Sequence, residues 1–341
     1  MKQNNFISVP PSDSPRPVSC AAGIPDPQPM GGMAGNRPWP KISIVSPSYN
    51  QGRFLEGTIR SVIEQGYPNL EYIVIDGGST DESVDIIKRY EDHIDYWVSE
   101  KDRGQSHAIN KGILHCTGEI FNWINSDDLL APGALWAVAK AWQTAPGSII
   151  SGKTEFFNES GGYYTEGAAN QTLKAFVRFW EAEGFAWSQQ GTFLPLAALV
   201  KIDGVREDLR YSMDYNMMVR LLMDGLQVTY VDQLLARFRF HDASKTVSEV
   251  NEFRLQRVDM LRKMEGLPVR VREWEWNREQ ARRLADLARR ELKMRHVRMA
   301  ASFMARAILT SPLGTIQEVC EICSHVIRKM LPKIGAVTRL F

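Results

Sequence analysis

Between residues 41 and 124, short apolar runs alternate with stretches in which apolar residues recur every three or four positions. A short apolar run bounded by turn-forming residues predicts a buried strand, and the three-to-four spacing predicts an amphipathic helix. Strands are predicted at 42–46, 71–75, 94–98 and 120–124. Helices are predicted between them at 54–65, 79–90 and 105–114. Ser79 and Glu82 fit a capping box that would open the second of these helices.

This succession of strands and helices predicts an α/β fold with a mainly parallel sheet covered by helices. Ligands of such sheets bind at the edge where the strands end with their carboxyl termini. Residues 46–50, 76–79 and 125–128 each follow a predicted strand. We therefore expect these three segments to meet in one crevice.

The two ends of the chain have different patterns from this central part. Residues 1–40 hold nine of the seventeen prolines and few large apolar residues, so they predict a disordered Pro-rich leader. Residues 41–248 carry the α/β pattern and a further helix near 215–223. Residues 249–341 have the pattern of a basic helical region. The sequence thus predicts three parts with these boundaries.

The formal net charge of +1 hides an uneven distribution, because residues 251–341 hold 19 Lys plus Arg against 10 Asp plus Glu. The near-neutral total argues against a strongly basic nucleic-acid-binding protein, so no nucleic-acid partner is expected. Basic amphipathic helices can lie on anionic lipid, which predicts peripheral membrane contact through the C-terminal helices. The alternative is that these helices pack on the α/β domain and leave a solvated basic face.

The chain shows no targeting or spanning segment by pattern. No apolar run follows the first residues as in a signal peptide, and no stretch approaches the ~20 apolar residues that span a membrane. We expect a cytoplasmic protein, held at the inner face of the cell membrane if its C-terminal helices bind lipid. Cys320, Cys323 and His325 match half of a zinc site whose second ligand pair is missing.

Several polar residues at strand and helix ends are candidates for chemistry. Asp127 and Asp128 follow a predicted strand, and adjacent carboxylates suit Mg²⁺ or Mn²⁺; the alternative is an ordinary turn or helix cap. Asp76 precedes two glycines that allow close backbone approach, although it also fits a common strand-to-helix turn. Asp214 is a candidate general base or a helix-start residue, and His241 a metal or phosphate ligand or a structural residue.

Taken together and in order, these segments resemble the motifs of glycosyltransferase family 2. The segments are 41–50 (KISIVSPSYN), 72–81 (YIVIDGGSTD), 102–112 (DRGQSHAINKG) and 123–128 (WINSDD). The segments 189–193 (QQGTF), 211–215 (YSMDY) and 237–241 (RFRFH) are similar to acceptor-side motifs of bacterial polysaccharide members. The resemblance covers about residues 41–245.

The resemblance implies a GT-A fold and a metal-dependent, inverting transfer of a sugar from a nucleotide-diphosphate donor, a UDP-sugar, to a hydroxyl group. The acceptor would be a saccharide or a lipid-linked saccharide in cell-surface polysaccharide or glycolipid synthesis. Asp127 would bind the metal, Mg²⁺ or Mn²⁺, with help from His241, and Asp214 would deprotonate the acceptor. Gln189 and Gln190 would lie on the acceptor side. The donor-binding residues would be Pro47, Tyr49, Asp76, Arg103, Asn110, Gly112 and Asp128.

Three positions depart from the family pattern. Asn125 replaces the first Asp of the Asp-x-Asp motif, Gly77 a second Asp after Asp76, and His107 an Asp found in many relatives. One alternative function is a catalytically silent sugar- or nucleotide-binding scaffold on the same fold, which the joint presence of Asp76, Asp127, Asp128 and Asp214 disfavours. A nicotinamide-dependent oxidoreductase is disfavoured because no Gly-x-Gly-x-x-Gly follows the first strand.

Overall fold

The computed structural model of the chain describes residues 38–310 except 159–160, 168, 180–185, 242–249, 270 and 294–296. The predicted leader lies outside the described residues except for its last three positions. The segment with Cys320, Cys323 and His325 also lies outside them.

Nine strands form one mixed sheet in this described part of the chain. They are β1 (Ile42–Ser48), β2 (Leu70–Asp76), β3 (Tyr96–Ser99), β4 (Ile120–Trp123), β5 (Leu129–Leu130), β6 (Ile149–Asn158), β7 (Gly161–Glu166), β8 (Thr192–Pro195) and β9 (Val228–Arg239). Their order is β3-β2-β1-β4-β8-β6-β9-β5, and β7 pairs with β6. The four strands β3, β2, β1 and β4 are parallel, as predicted. Beyond them β8 is antiparallel to both neighbours, and β9 is parallel to β6 and antiparallel to β5.

The helices connect and cover these strands. They are α1 (Gly52–Ile63), α2 (Ser83–Arg89), α3 (Gln105–His115), α4 (Ala134–Thr144), α5 (Leu173–Val177), α6 (Leu196–Lys201), α7 (Met213–Met223), α8 (Val250–Lys263), α9 (Glu273–Lys293) and α10 (Val297–Thr310). The predicted helices at 54–65 and 105–114 agree with α1 and α3 to within two residues.

Both faces of the sheet are buried, which explains why its central strands are apolar almost throughout. Successive side chains of a strand point to opposite faces. Val45 and Ile73 accordingly pack in a cluster with α3, α7 and α8, whereas Ile44 and Tyr72 pack in a second cluster with α1, α2 and α4. The carboxyl edge of the parallel strands is thus held between two layers of helices.

The predicted capping box is wrong. Helix α2 begins at Ser83, where Asp81 Oδ1 accepts from Ser83 N at 3.0 Å. The Ser79 hydroxyl instead donates to Asp76 Oδ1 at 2.5 Å. A serine hydroxyl bonds equally well to a turn or to a helix end, and here the carboxylate at the end of β2 takes it.

The first helices of the C-terminal region share the core of the α/β domain. Val258 and Leu261 of α8 and Trp276 of α9 lie in the same buried cluster as Ile73 of β2. Within the described residues, no helix has the length and apolar character needed to cross a membrane. Helix α10 leaves Met299, Ile308 and Leu309 exposed, and lipid contact by this region stays a prediction.

Candidate functional site

The loops that follow β1 and β2 are fastened to each other. Ser48, Asp76 and Ser99 are register partners at the ends of β1, β2 and β3. Asp76 is buried, and its Oδ2 accepts from Ser79 N at 2.9 Å and from Ser99 Oγ at 2.6 Å. Asn50, in a left-handed conformation with φ of 52°, donates from its backbone N to Ser79 Oγ at 2.8 Å. Asp76 therefore stabilises the loop after β2 and links it to the end of β3. Its expected contact with a nucleotide base stays a prediction.

Two further residues that are expected to bind the nucleotide-sugar donor lie at the end of β1. Tyr49 is 61% exposed, so its ring is free to stack on a planar group. Pro47 is buried, and its carbonyl oxygen accepts from Ser126 Oγ at 2.6 Å. This hydrogen bond joins the end of β1 to residues 125–128, the acidic segment that follows β4. The first and last of the three predicted segments therefore meet.

Asp128 is the buried member of the acidic pair. Its carboxylate accepts from Asn125 Nδ2 at 3.1 Å, Gln190 Nε2 at 3.0 Å and Arg239 N at 3.0 Å. Burial, and then the neighbouring charge of Asp127, raise the pKa of Asp128 above its ordinary value. Asp128 thus fastens the acidic segment to two other parts of the chain.

Asp127 faces the end of β9. Its Oδ2 lies 2.9 Å from His241 Nε2, and its backbone oxygen accepts from Arg239 Nε at 2.9 Å. The His241 ring lies 4.7 Å from the ring of Phe54 in α1, centroid to centroid. A carboxylate and an imidazole, both part-buried, are therefore held together at the carboxyl edge of the sheet.

These residues fit a divalent cation that takes only two protein ligands. Asn125 replaces the first Asp of the family's Asp-x-Asp motif. Its Oδ1 accepts a hydrogen bond from Gln105 Nε2 at 2.7 Å, so this oxygen is not counted as a metal ligand. Among the described residues, no three His, Cys, Asp or Glu side chains are grouped as a metal site. Mg²⁺ commonly binds to one or two carboxylates plus water and substrate phosphates, which suits Asp127 as the carboxylate.

Gln189 and Gln190 are buried beside this segment. Gln189 Nε2 donates to Asn122 Oδ1 at 3.0 Å and to Trp123 O at 2.9 Å, while Asn122 Nδ2 donates to Gln190 O at 2.9 Å. The two glutamines thus fasten β8 to β4 and Asp128. An acceptor contact by either of them stays a prediction.

Asp214 lies in the first turn of α7, close to the first turn of α3. Ser106 Oγ donates to Met213 Sδ, whereas the adjacent Gln105 bonds to Asn125. Two successive residues of α3 therefore link the acidic segment to the start of α7. Burial raises the pKa of Asp214, and the positive charge of Arg257 opposes this effect. A partly buried carboxylate of this kind suits a general base.

The remaining residues that are expected to bind the nucleotide-sugar donor have structural roles that need no ligand. Arg103 pairs with Glu207 at 2.7 Å, and the Asn110 amide bonds to the backbone N and O of Val205. An ideal Cβ on Gly112 would lie 2.5 Å from Val45 Cγ1, so this glycine lets α3 approach β1 closely. Nucleoside contacts by these residues stay predictions.

Sequence reasoning missed Gln105 and two residues of α8, Gln256 and Arg257. Gln105 stands within the segment 102–112, so the family resemblance was the one signal that pointed to it. Gln256 and Arg257 belong to a basic helical stretch whose pattern indicates nothing beyond an amphipathic helix. Their contacts with residues about forty positions earlier follow from the tertiary fold alone.

The chain is similar to known glycosyltransferases. It is 32% identical over 108 residues to an uncharacterized glycosyltransferase of Nostoc sp., which covers 31% of this chain and 34% of that protein. It is 31% identical over 126 residues to the glycosyltransferase GlyA of Streptococcus pneumoniae, which covers 36% of this chain and 18% of GlyA. The chain thus spans about a third or less of the length of these relatives.

A solved structure shows the same fold. The crystal structure of S. aureus TarS 1-349 in complex with UDP-GlcNAc matches with a TM-score of 0.55 and 17% sequence identity, over 72% of each chain. This likeness shows a GT-A-like fold. The family model described as glycosyl transferase family 2 matches residues 43–193, which span β1 to the start of β8 and include the acidic segment. Over residues 43–193 the chain is therefore similar to glycosyl transferase family 2.

Proposed function

We propose that the chain is an inverting glycosyltransferase that moves a sugar from a UDP-sugar to a hydroxyl group of a saccharide or lipid-linked acceptor. The observation that carries the proposal is the linkage of two groups at the carboxyl edge of the sheet. The pair of Asp127 and His241 suits a diphosphate-bound cation, and α3 connects its segment to the candidate base Asp214. The UDP-GlcNAc bound by TarS supports the choice of donor class.

The donor would lie across the ends of β1, β2 and β4. The exposed Tyr49 ring would stack on the base, over the loop that Asp76 and Ser79 hold in shape. Arg103 would approach the nucleoside from the loop before α3 once its pair with Glu207 opens. The diphosphate would then extend toward Asp127.

Asp127 and His241 would hold Mg²⁺ or Mn²⁺. When bound, such a cation supplies positive charge that stabilises the departing diphosphate. The neighbouring Asp128, fastened by Gln190 and Arg239, would orient the segment so that Asp127 faces the donor. These residues would therefore act on the diphosphate leaving group.

Asp214 would act on the opposite side of the sugar. It accepts the proton of the acceptor hydroxyl as that oxygen forms its bond to the anomeric carbon. The bond between that carbon and the diphosphate oxygen breaks at the same time, and the nucleotide leaves with the electron pair. One displacement inverts the anomeric configuration and needs no enzyme nucleophile. The proposed setting is synthesis of cell-surface polysaccharide or glycolipid at the inner face of the cell membrane.

The proposal is tested by incubating the chain with a panel of nucleotide sugars and Mn²⁺ or Mg²⁺ and measuring nucleotide release. We expect release from at least one UDP-sugar, abolished by EDTA and by Asp127→Ala. Glu91→Ala, an exposed carboxylate removed from the site, is the matched control and should leave release unchanged. Nucleotide binding without release from any donor would instead support the silent scaffold, and metal-independent turnover would contradict the role given to Asp127.

A further inference from the structure

A side chain of helix α8 bonds to the backbone at the start of α7, the helix that carries Asp214. Gln256 Oε1 accepts from Tyr211 N at 2.8 Å and from Ser212 N at 3.0 Å. Ser212 occupies the N-cap position of α7 but makes no capping hydrogen bond with its side chain. The first backbone N–H groups of a helix need such partners. A side chain from α8 therefore provides the hydrogen bonds that fix where the chain enters α7.

Arg257 follows Gln256 and lies over the aromatic residue next to Asp214. Its Cζ is 4.1 Å from the centroid of the Tyr215 ring and 5.7 Å from that of Phe179. Its Nε is buried and has no hydrogen-bond partner in the described part of the chain. The neighbouring Val258 is buried in the core, which holds this turn of α8 in place. Arg257 is thus a fixed cation held by ring stacking.

The charge of Arg257 acts on Asp214 without occupying the carboxylate. Burial raises the pKa of Asp214, and the Arg257 charge is the first influence that lowers it, followed by the backbone N–H groups of Tyr215 and of Asp214 itself. Arg283 of α9 lies with its Cζ 4.4 Å from the centroid of the Phe179 ring. Its positive charge lowers the pKa of Tyr215, against the larger effect of burial. Asp214 and Arg257 form no direct ion pair within the described residues. A direct pair would occupy the oxygen that a general base needs.

We propose that Arg257 is a positioning residue that keeps Asp214 ionised without bonding to the carboxylate oxygen that would accept from the acceptor hydroxyl, Oδ1 being the one that accepts from Tyr215 N. We also propose that Gln256 fixes the helix end on which Asp214 sits. This inference rests on the proposed function of Asp214 as the base. It makes α8 a part of the catalytic machinery rather than of a separate basic tail.

The charge effect is measured directly by titrating Asp214 in the full chain labelled with carboxyl-¹³C aspartate, with the resonance assigned by Asp214→Asn. In Arg257→Met the pKa of Asp214 should rise, because the opposing positive charge is gone while burial remains. In Arg257→Lys it should stay near that of the unaltered chain. Arg262→Met removes an exposed arginine from the same helix and is the control, with no expected change. A titration of Asp214 that is the same in Arg257→Met as in the unaltered chain would overturn the inference, whatever the activity.

The kinetic test uses the pH profile of sugar transfer. Arg257→Met should lose transfer several-fold on the acidic side and regain most of it at alkaline pH, where Asp214 is again ionised. Gln256→Ala should lower kcat with no shift of the profile and with unchanged affinity for UDP, because it loosens the helix end without removing charge. A uniform loss across pH in Arg257→Met would assign it a merely structural role. Absence of transfer by the unaltered chain would overturn the proposed function instead, and the NMR titration would still decide the role of Arg257.

Discussion

His241 Nε2 lies 2.9 Å from Asp127 Oδ2, although 114 positions separate the two residues along the chain. The antiparallel pairing of β5 with β9 brings them together, since Leu129 pairs with Arg237 and Leu130 with Ala236. The pairing places the residues just before β5 beside those just after β9. The proposed cation pair is therefore a product of sheet topology.

His241→Ala should weaken the response to Mn²⁺ while leaving UDP-sugar binding measurable. Loss of one of two protein ligands should raise the Mn²⁺ concentration for half-maximal nucleotide release by about tenfold or more. His93→Ala, which removes an exposed histidine of a short turn, is the control. A variant with the Mn²⁺ dependence of the unaltered chain would show that His241 does not bind the metal.

Asp214→Asn should separate donor binding from transfer. The amide keeps the size of the side chain but cannot accept the acceptor proton, so transfer should fall by about 10²- to 10⁴-fold. Titration with UDP should give an affinity close to that of the unaltered chain. Asp224→Asn, at the other end of α7, supplies the control for a changed charge on this helix. Transfer at the normal rate in Asp214→Asn would require another base.

Gly112→Ala should destabilise the fold because the new methyl group would press on Val45. Overpacking of this kind costs about 1–3 kcal/mol. Adding Val45→Ala should recover part of that loss, since it removes the atoms that the methyl group would meet. Urea unfolding of the two single variants and the double variant measures the coupling. Normal stability of Gly112→Ala with weakened UDP binding would favour a nucleoside contact instead.

Glu71→Gln should destabilise the amino edge of the sheet in a pH-dependent way. Burial alone would raise the pKa of Glu71, but hydrogen bonds from Lys41, Ser43 and Thr117 outweigh it and lower the pKa to about 2, from an ordinary value of 4.5. The carboxylate therefore contributes stability above about pH 4.5. That contribution is lost as the pH falls toward the folded-state value of about 2.

The measurement compares urea unfolding of the unaltered chain and Glu71→Gln at neutral pH and near pH 3. The difference should be about 1–3 kcal/mol at neutral pH, as for a buried hydrogen-bonded group, and should shrink in acid. Glu64→Gln, which removes an exposed carboxylate of α1, is the control and should show little change. A difference that is the same at both pH values would contradict the ionised state assigned to Glu71.

The local pattern was sufficient for the central strands and helices because both faces of the sheet are buried, so apolar runs coincide with strands. It failed at Ser79, where a turn and a helix start compete for one hydroxyl and the choice depends on Asp76 and Asn50. The acidic segment could be predicted from its position after a strand. Its contacts with Gln105, Gln190 and His241 join residues that are distant in sequence. They follow from the tertiary fold, which the spacing of residues along the chain does not reveal.

The shared core also limits where this chain can be divided. A fragment ending at residue 193, where the family match stops, would lack β9, and β6 would lose its parallel neighbour and present an open edge. Ile73 and Trp123 would lose the cover that α7 and α8 provide. An unpaired strand edge beside an uncovered apolar face favours aggregation. We therefore expect the smallest unit that folds alone to be larger than the span matched by sequence similarity and to extend at least through α8.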